Sequence, residues 1–120
     1  MRIVLSILVS NSSGVLNRVS GLFSRRGYNI DSLTVGPTED EGISRITVVA
    51  QGDQLVLEQI SKQVRKLEDV REVFVLPTGS SVYRELVLIK VQADATERAD
   101  LVSIVDIFRA RIVDVAPNSI

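Results

Sequence analysis

The order in which the apolar residues change their spacing constrains this chain more than any other feature. In RIVLSILVS, residues 2–10, apolar positions fall two apart. Ile3, Leu5, Ile7 and Val9 share one side, and Val4, Ser6, Leu8 and Ser10 share the other. That is the period of a strand. After NSSG the spacing turns helical, with Val15, Leu16, Val19, Leu22 and Phe23 on one face. Ser13 is the candidate N-cap. Arg25 and Arg26 suit the negative end of the helix dipole, and Gly27 is the candidate stop because it accepts positive φ without strain.

The rhythm then repeats. A strand is expected over 29–36 and an acidic turn at PTEDEG, 37–42. A third strand follows over 43–51, with Ile46, Val48 and Ala50 on one side; the short connection implies a hairpin. Asp53 should cap a helix that turns Val56, Leu57, Ile60, Val64 and Leu67 inward, with Glu58 and Lys62 paired on its surface. Residues 70–76 make a fourth strand. The order βαββαβ predicts a ferredoxin-like α+β unit over 1–76, with both helices on one face of an antiparallel sheet. PTGSSVYRE, 77–85, reads as a linker. Beyond it, strands are expected at 86–93 and 112–115 around a helix over 96–109, with Leu101, Val102, Val105 and Phe108 inward. Residues 86–120 therefore read as a partial βαβ second ferredoxin-like domain, marginal by itself. It would pack on the first domain, borrow strands from another chain or be a shortened domain; shortening is the favoured reading.

Composition narrows the chemistry. The chain is 120 residues long, 45% hydrophobic, and carries a net charge of −1 with only 4% aromatic residues. A nucleic-acid binder needs a basic surplus to neutralise phosphates, so none is expected. No apolar run is long enough to span a bilayer and no signal peptide is recognisable, so a cytoplasmic protein without membrane contact is the simplest expectation. Histidine and cysteine are both absent. The commonest general base and the usual zinc ligands are thus missing, and no glycine-rich phosphate motif occurs. The acidic run Glu39, Asp40, Glu41 reads as a solvated hairpin tip rather than a cation site. No catalytic residue, metal site or cofactor is expected in this chain.

The turn before the first helix holds the most suggestive chemistry. The first N–H groups of a helix lack internal partners and carry the positive end of its dipole, and small residues let an anion approach them. Ser12, Ser13 and Gly14 provide that smallness. A free amino acid would present its carboxylate there, while Asn11 or Asn29 could accept from its ammonium group. Val15, Leu16 and Ile30 are apolar neighbours for an aliphatic side chain. From spacing alone, however, a helix cap and an ordinary loop are the better explanation of these residues, because strand–loop–helix turns with Ser and Gly are common.

The wording of the segment adds what spacing lacks. LSILVSNSSGVLNRVSGLFSRRGYNIDSLTVGPTEDEGISRITV closely resembles the small regulatory subunits of acetolactate synthase (acetohydroxyacid synthase), whose hallmark N-x-x-G-V-L-x-R-V-x-G-L-F-x-x-R-G-Y-N-I-x-S-L-T-V is met from Asn11 through Val35. LEQISKQVRKLEDV (57–70), RELVLIKV (84–91) and IFRARIVDVAP (107–117) are also similar. Family members usually continue beyond the point reached by Ile120. The resemblance implies an ACT domain over 1–76 that forms a homodimer through a continuous sheet. Valine or a related branched-chain amino acid would bind at that interface, on Asn11, Gly14, Val15 and Leu16 of one chain and Asn29 and Ile30 of its partner. It also implies an activating and feedback-inhibiting role in branched-chain amino-acid (valine, isoleucine, leucine) biosynthesis. The partner would be the large catalytic subunit, which holds thiamine diphosphate, magnesium and FAD. The alternative is a free-standing ACT-type amino-acid sensor acting on another protein.

Overall fold

The computed structural model describes residues 1–120, which divide into two compact units, Met1–Tyr83 and Arg84–Ile120. In the first unit, β1 (Arg2–Ser10), α1 (Val15–Arg25), β2 (Ile30–Pro37), β3 (Ile43–Gln51), α2 (Gln54–Arg65) and β4 (Val70–Val75) follow in order. The four strands form one antiparallel sheet in the order β2-β3-β1-β4. The apolar side of β1 holds Ile3, Leu5, Ile7 and Val9. It packs with Ile46, Val48 and Ala50 of β3 and Val73 of β4 beneath Val15, Val19, Leu22 and Phe23 of α1 and Leu57, Ile60 and Val64 of α2. Both helices therefore cover one face. Full burial of each Val, Leu, Ile or Phe among them contributes about 1.5–3 kcal/mol, which is what sets the strand register.

The helix ends follow from single residues. Gly27 lies at φ +73°, and the N–H groups of Gly27 and Tyr28 close back on the carbonyls of Ser24 and Phe23 at 3.1 and 2.9 Å. A left-handed glycine thus satisfies the last carbonyls of α1. Asp53 caps α2 by accepting the Val56 N–H at 2.9 Å. The expected Ser13 cap does not form. Gly14 is the N-cap of α1, at φ +83° and ψ −5°, and no side chain caps the helix. Its left-handed conformation replaces the extended N-cap geometry that a serine hydroxyl needs to reach the next turn. Nor does Glu58 pair with Lys62; its carboxylate accepts the Gln54 amide at 3.3 Å. The acidic tip is a hydrogen-bonded turn, in which Asp40 accepts the Gly42 N–H at 2.9 Å.

β2 is an edge strand. Leu33 and Val35 sit opposite Val48 and Ile46, on the helix side of the sheet, yet they stay 36% and 48% exposed. The two helices do not reach over them.

The second unit departs from expectation. No strand forms over 84–91 or over 112–115. Only the last residues of the first segment find a neighbour: Val91 and Ile120 exchange both backbone hydrogen bonds, at 2.8 and 3.0 Å, and Ala93 donates to Asn118 at 3.0 Å. Alternation proposes a strand, but a ladder partner is required to make one. The helix α3 spans Arg98–Ile107 and buries no residue completely. Leu101 and Val105 are half-buried, whereas Val102 and Phe108, expected inward, are exposed. The unit has no sheet face against which they could turn. Asp94 heads the turn into α3, accepting the N–H groups of Thr96 and Glu97 at 2.9 and 3.0 Å, and Glu97 reciprocates on the Asp94 N–H at 3.1 Å. No helix is long and apolar enough to cross a membrane.

Candidate functional site

The residues singled out in sequence occupy two places. Asn11, Gly14, Val15 and Leu16 form the turn that leaves β1 and opens α1. Its backbone is held from two sides: Ser10 donates to the Asp69 carbonyl at 2.8 Å, and Asn11 donates to the Gly42 carbonyl at 2.8 Å. The Asn11 amide Nδ2 donates to the Glu41 carbonyl at 3.2 Å. That bond uses the nitrogen and leaves Oδ1 as an acceptor directed at no protein donor. Gly14 and Asn11 are exposed, and Leu16 is 42% exposed on the outer side of α1. Val15 is different. Its side chain is buried in the core, so it can offer a ligand only its backbone N–H.

Asn29 and Ile30 stand elsewhere. Asn29 Nδ2 donates to the Asp31 carboxylate at 2.9 Å, and the other Asp31 oxygen accepts the Gln51 amide at 2.9 Å. Here too the amide nitrogen is engaged and Oδ1 is left as an acceptor. Ile30 is paired with Ala50, and Ala50 with Ile3. Ile30 thus lies in the row of Ile3, while Asn11 is eight residues further along the chain, just past the end of β1. At about 3.3 Å per residue that is roughly 26 Å, far beyond the span of one amino acid. Within a single chain the two groups cannot touch the same ligand.

The edge of β2 is open to a second strand. Pro37 pairs with Ser44, and Ser44 with Val9, so the end of β2 lies at the Asn11 end of the sheet. An antiparallel pairing of β2 with the β2 of a second copy sets the start of one strand beside the end of the other. It would also satisfy the open backbone edge of β2.

Two residues beside the turn were not singled out in sequence. Arg18 donates through Nε to Asp69 at 2.6 Å and through Nη2 to the Ser13 carbonyl at 3.5 Å. Asp69 is 51 positions from Arg18, so no local spacing announces the pair. The groove of about 440 Å³ along β2 and β3 is lined by Thr34–Glu39, Arg45 and Thr47 and includes none of the six residues above.

Residues 5–72 match the family described as AHAS small subunit-like ACT domain, and residues 84–120 match the small subunit of acetolactate synthase. The chain belongs to the acetolactate synthase small-subunit family. It is 52% identical over 118 residues to the acetolactate synthase isozyme 3 small subunit of Escherichia coli strain K12, spanning 98% of this chain and 72% of that one. The crystal structure of an acetolactate synthase small subunit from Thermotoga maritima superposes with a TM-score of 0.84 at 33% identity, covering 99% of this chain and 74% of that one. The ACT domain of a GTP pyrophosphokinase from Chlorobium tepidum, at 19% identity and a TM-score of 0.58, shares the fold alone. The fold is α+β and its first unit is a ferredoxin-like ACT domain.

Proposed function

We propose that this chain is a non-catalytic regulatory subunit of acetolactate synthase that binds valine, or a related branched-chain amino acid, between two copies of itself. The observation that carries the reading is the division of the site. One half offers the uncapped start of α1, opened by Gly14, together with the Asn11 acceptor. The other half, about 26 Å away in the same chain, offers the Asn29 acceptor beside Ile30. The open edge of β2 supports their convergence in a dimer. The carboxylate of the amino acid would take the N–H groups at the head of α1, each such charge-assisted bond contributing roughly 1.5–3 kcal/mol. Its ammonium group would donate to the Asn oxygens, and its aliphatic side chain would rest on Leu16 and Ile30. Valine differs from leucine by one methylene, so discrimination stays within about 1–3 kcal/mol.

The regulated partner is the large catalytic subunit, which supplies the thiamine diphosphate, magnesium and FAD chemistry. The small subunit raises its activity, and the bound amino acid favours an arrangement that supports it less well. Mixing this chain with a catalytic subunit and measuring acetolactate formation with and without valine tests the reading. Activation without valine and loss of activation with it are expected. A chain that binds valine yet leaves the catalytic subunit unaffected would instead be a free-standing sensor.

A further inference from the structure

We propose that Arg18 and Asp69 form a strut that shapes the Gly14 turn for the ligand carboxylate, which makes Arg18 a positioning residue of the amino-acid site. The inference rests on the proposed binding of an amino acid at that turn and names the device that sets its geometry.

Asp69 belongs to the turn between α2 and β4 and grips the Gly14 turn at both ends. Its backbone carbonyl accepts the N–H of Ser10, the residue that leads into the turn, at 2.8 Å. Its carboxylate accepts Arg18 Nε, one helical turn beyond Gly14, at 2.6 Å. The guanidinium then lies along the turn itself. Nη2 is 3.5 Å from the Ser13 carbonyl, and a Cβ placed on Gly14 would stand 2.9 Å from Nη1. Arg18 therefore fills the space beside Gly14 that any side chain would need, and Asp69 holds it there. A free arginine would swing aside at little cost; this one moves at the expense of part of its ion pair.

The same pair is a modest contributor to stability. Its side chains are 51% and 22% exposed, and exposed ion pairs typically contribute under about 1 kcal/mol. Geometry at the turn is the more sensitive quantity, because the ligand carboxylate needs the N–H groups of α1 aimed at one point. Affinity and stability thus separate. Charge alone makes the opposite prediction for Asp69. Removing its carboxylate leaves Arg18 a freer cation near the anion site, which would tighten carboxylate binding. The strut predicts weaker binding.

The test is isothermal titration of valine into the wild-type chain and into Arg18→Ala, Arg18→Lys and Asp69→Ala, with thermal melts alongside. A strut predicts roughly tenfold weaker binding in each variant, within the range of contacting residues that act together, and no further loss when Arg18→Ala and Asp69→Ala are combined in one chain. A lysine keeps the charge but lacks the forked contact, so Arg18→Lys should not rescue. Amide NMR without ligand should show the Gly14 and Val15 signals displaced in Asp69→Ala. Unchanged or tighter binding by Asp69→Ala, or undisturbed Gly14 and Val15 signals, overturns the strut while leaving the site standing. A wild-type chain that binds no valine overturns the site and the strut together.

Discussion

Replacing Gly14 separates two effects that the structure places at one atom. Gly14 sits at φ +83°, and a Cβ there would stand 2.9 Å from Arg18 Nη1. Alanine in the left-handed region costs about 1–2 kcal/mol, and relieving the contact costs part of the Arg18–Asp69 pair, up to about 1 kcal/mol more. Gly14→Ala should therefore lower stability by roughly 1–3 kcal/mol in urea unfolding. Aspartate tolerates the left-handed region better than alanine, and its carboxylate would face both the guanidinium and the positive end of α1. Gly14→Asp should thus destabilise less than Gly14→Ala. For ligand binding the order reverses. The new carboxylate would occupy the position meant for the carboxylate of valine, so Gly14→Asp should lose most of the binding measured by titration, and Gly14→Ala only part. Stability ranked alanine below aspartate and affinity ranked aspartate below alanine would be the signature. Unchanged valine affinity in a folded Gly14→Asp chain would refute the placement of the ligand carboxylate.

Asn29→Ala should remove a ligand acceptor and weaken valine binding while circular dichroism remains that of the wild type; an unfolded variant would show that Asn29 serves the fold through Asp31. Gly52→Ala should destabilise the first unit by about 1–3 kcal/mol in urea unfolding, by overpacking, because a Cβ there would lie 2.6 Å from Val56 Cγ1 and 3.1 Å from Ile3 Cδ1. The Asp94 carboxyl is held below the ordinary carboxylate value by the Thr96 hydroxyl first, then by the Glu97 and Thr96 N–H groups. A depressed folded value means its cap stabilises fully above the ordinary carboxylate pKa and is lost as pH falls through the lower, folded one. Helical amide protection at 98–101 should decline across that acidic window, and Asp94→Ala should abolish the pH dependence.

The first unit was legible because its signals are local and agree with one another. β1, α1 and α2 each carry one clear period, Gly27 and Asp53 end and begin helices as their chemistry suggests, and the core on Ile3, Leu5, Ile7 and Val9 follows from alternation. The cap of α1 was not legible. Ser13 and Gly14 are adjacent and both cap helices, and only the backbone angle of Gly14 decides between them. The second unit was least legible. LVLIKV has the composition of a strand, but pairing is a property of two segments, and only Val91–Ala93 finds one, in Asn118–Ile120. The site divides in the same way. The nature of its groups could be read from Asn11, Gly14 and Asn29, whereas their separation along the sheet and the Arg18–Asp69 strut depend on register and on a contact between distant residues.

The central claim is that each amino acid is held by two chains, and subunit mixing tests it most directly. Gly14→Asp damages one half of every pocket in its own dimer, and Asn29→Ala damages the other half. When the two variants are mixed and allowed to exchange, each mixed dimer should contain one pocket with both halves intact and one with both halves damaged. Titration should then show valine binding of wild-type affinity reappear, at one site per mixed dimer. Mixed dimers that form and still fail to recover binding would contradict a shared site.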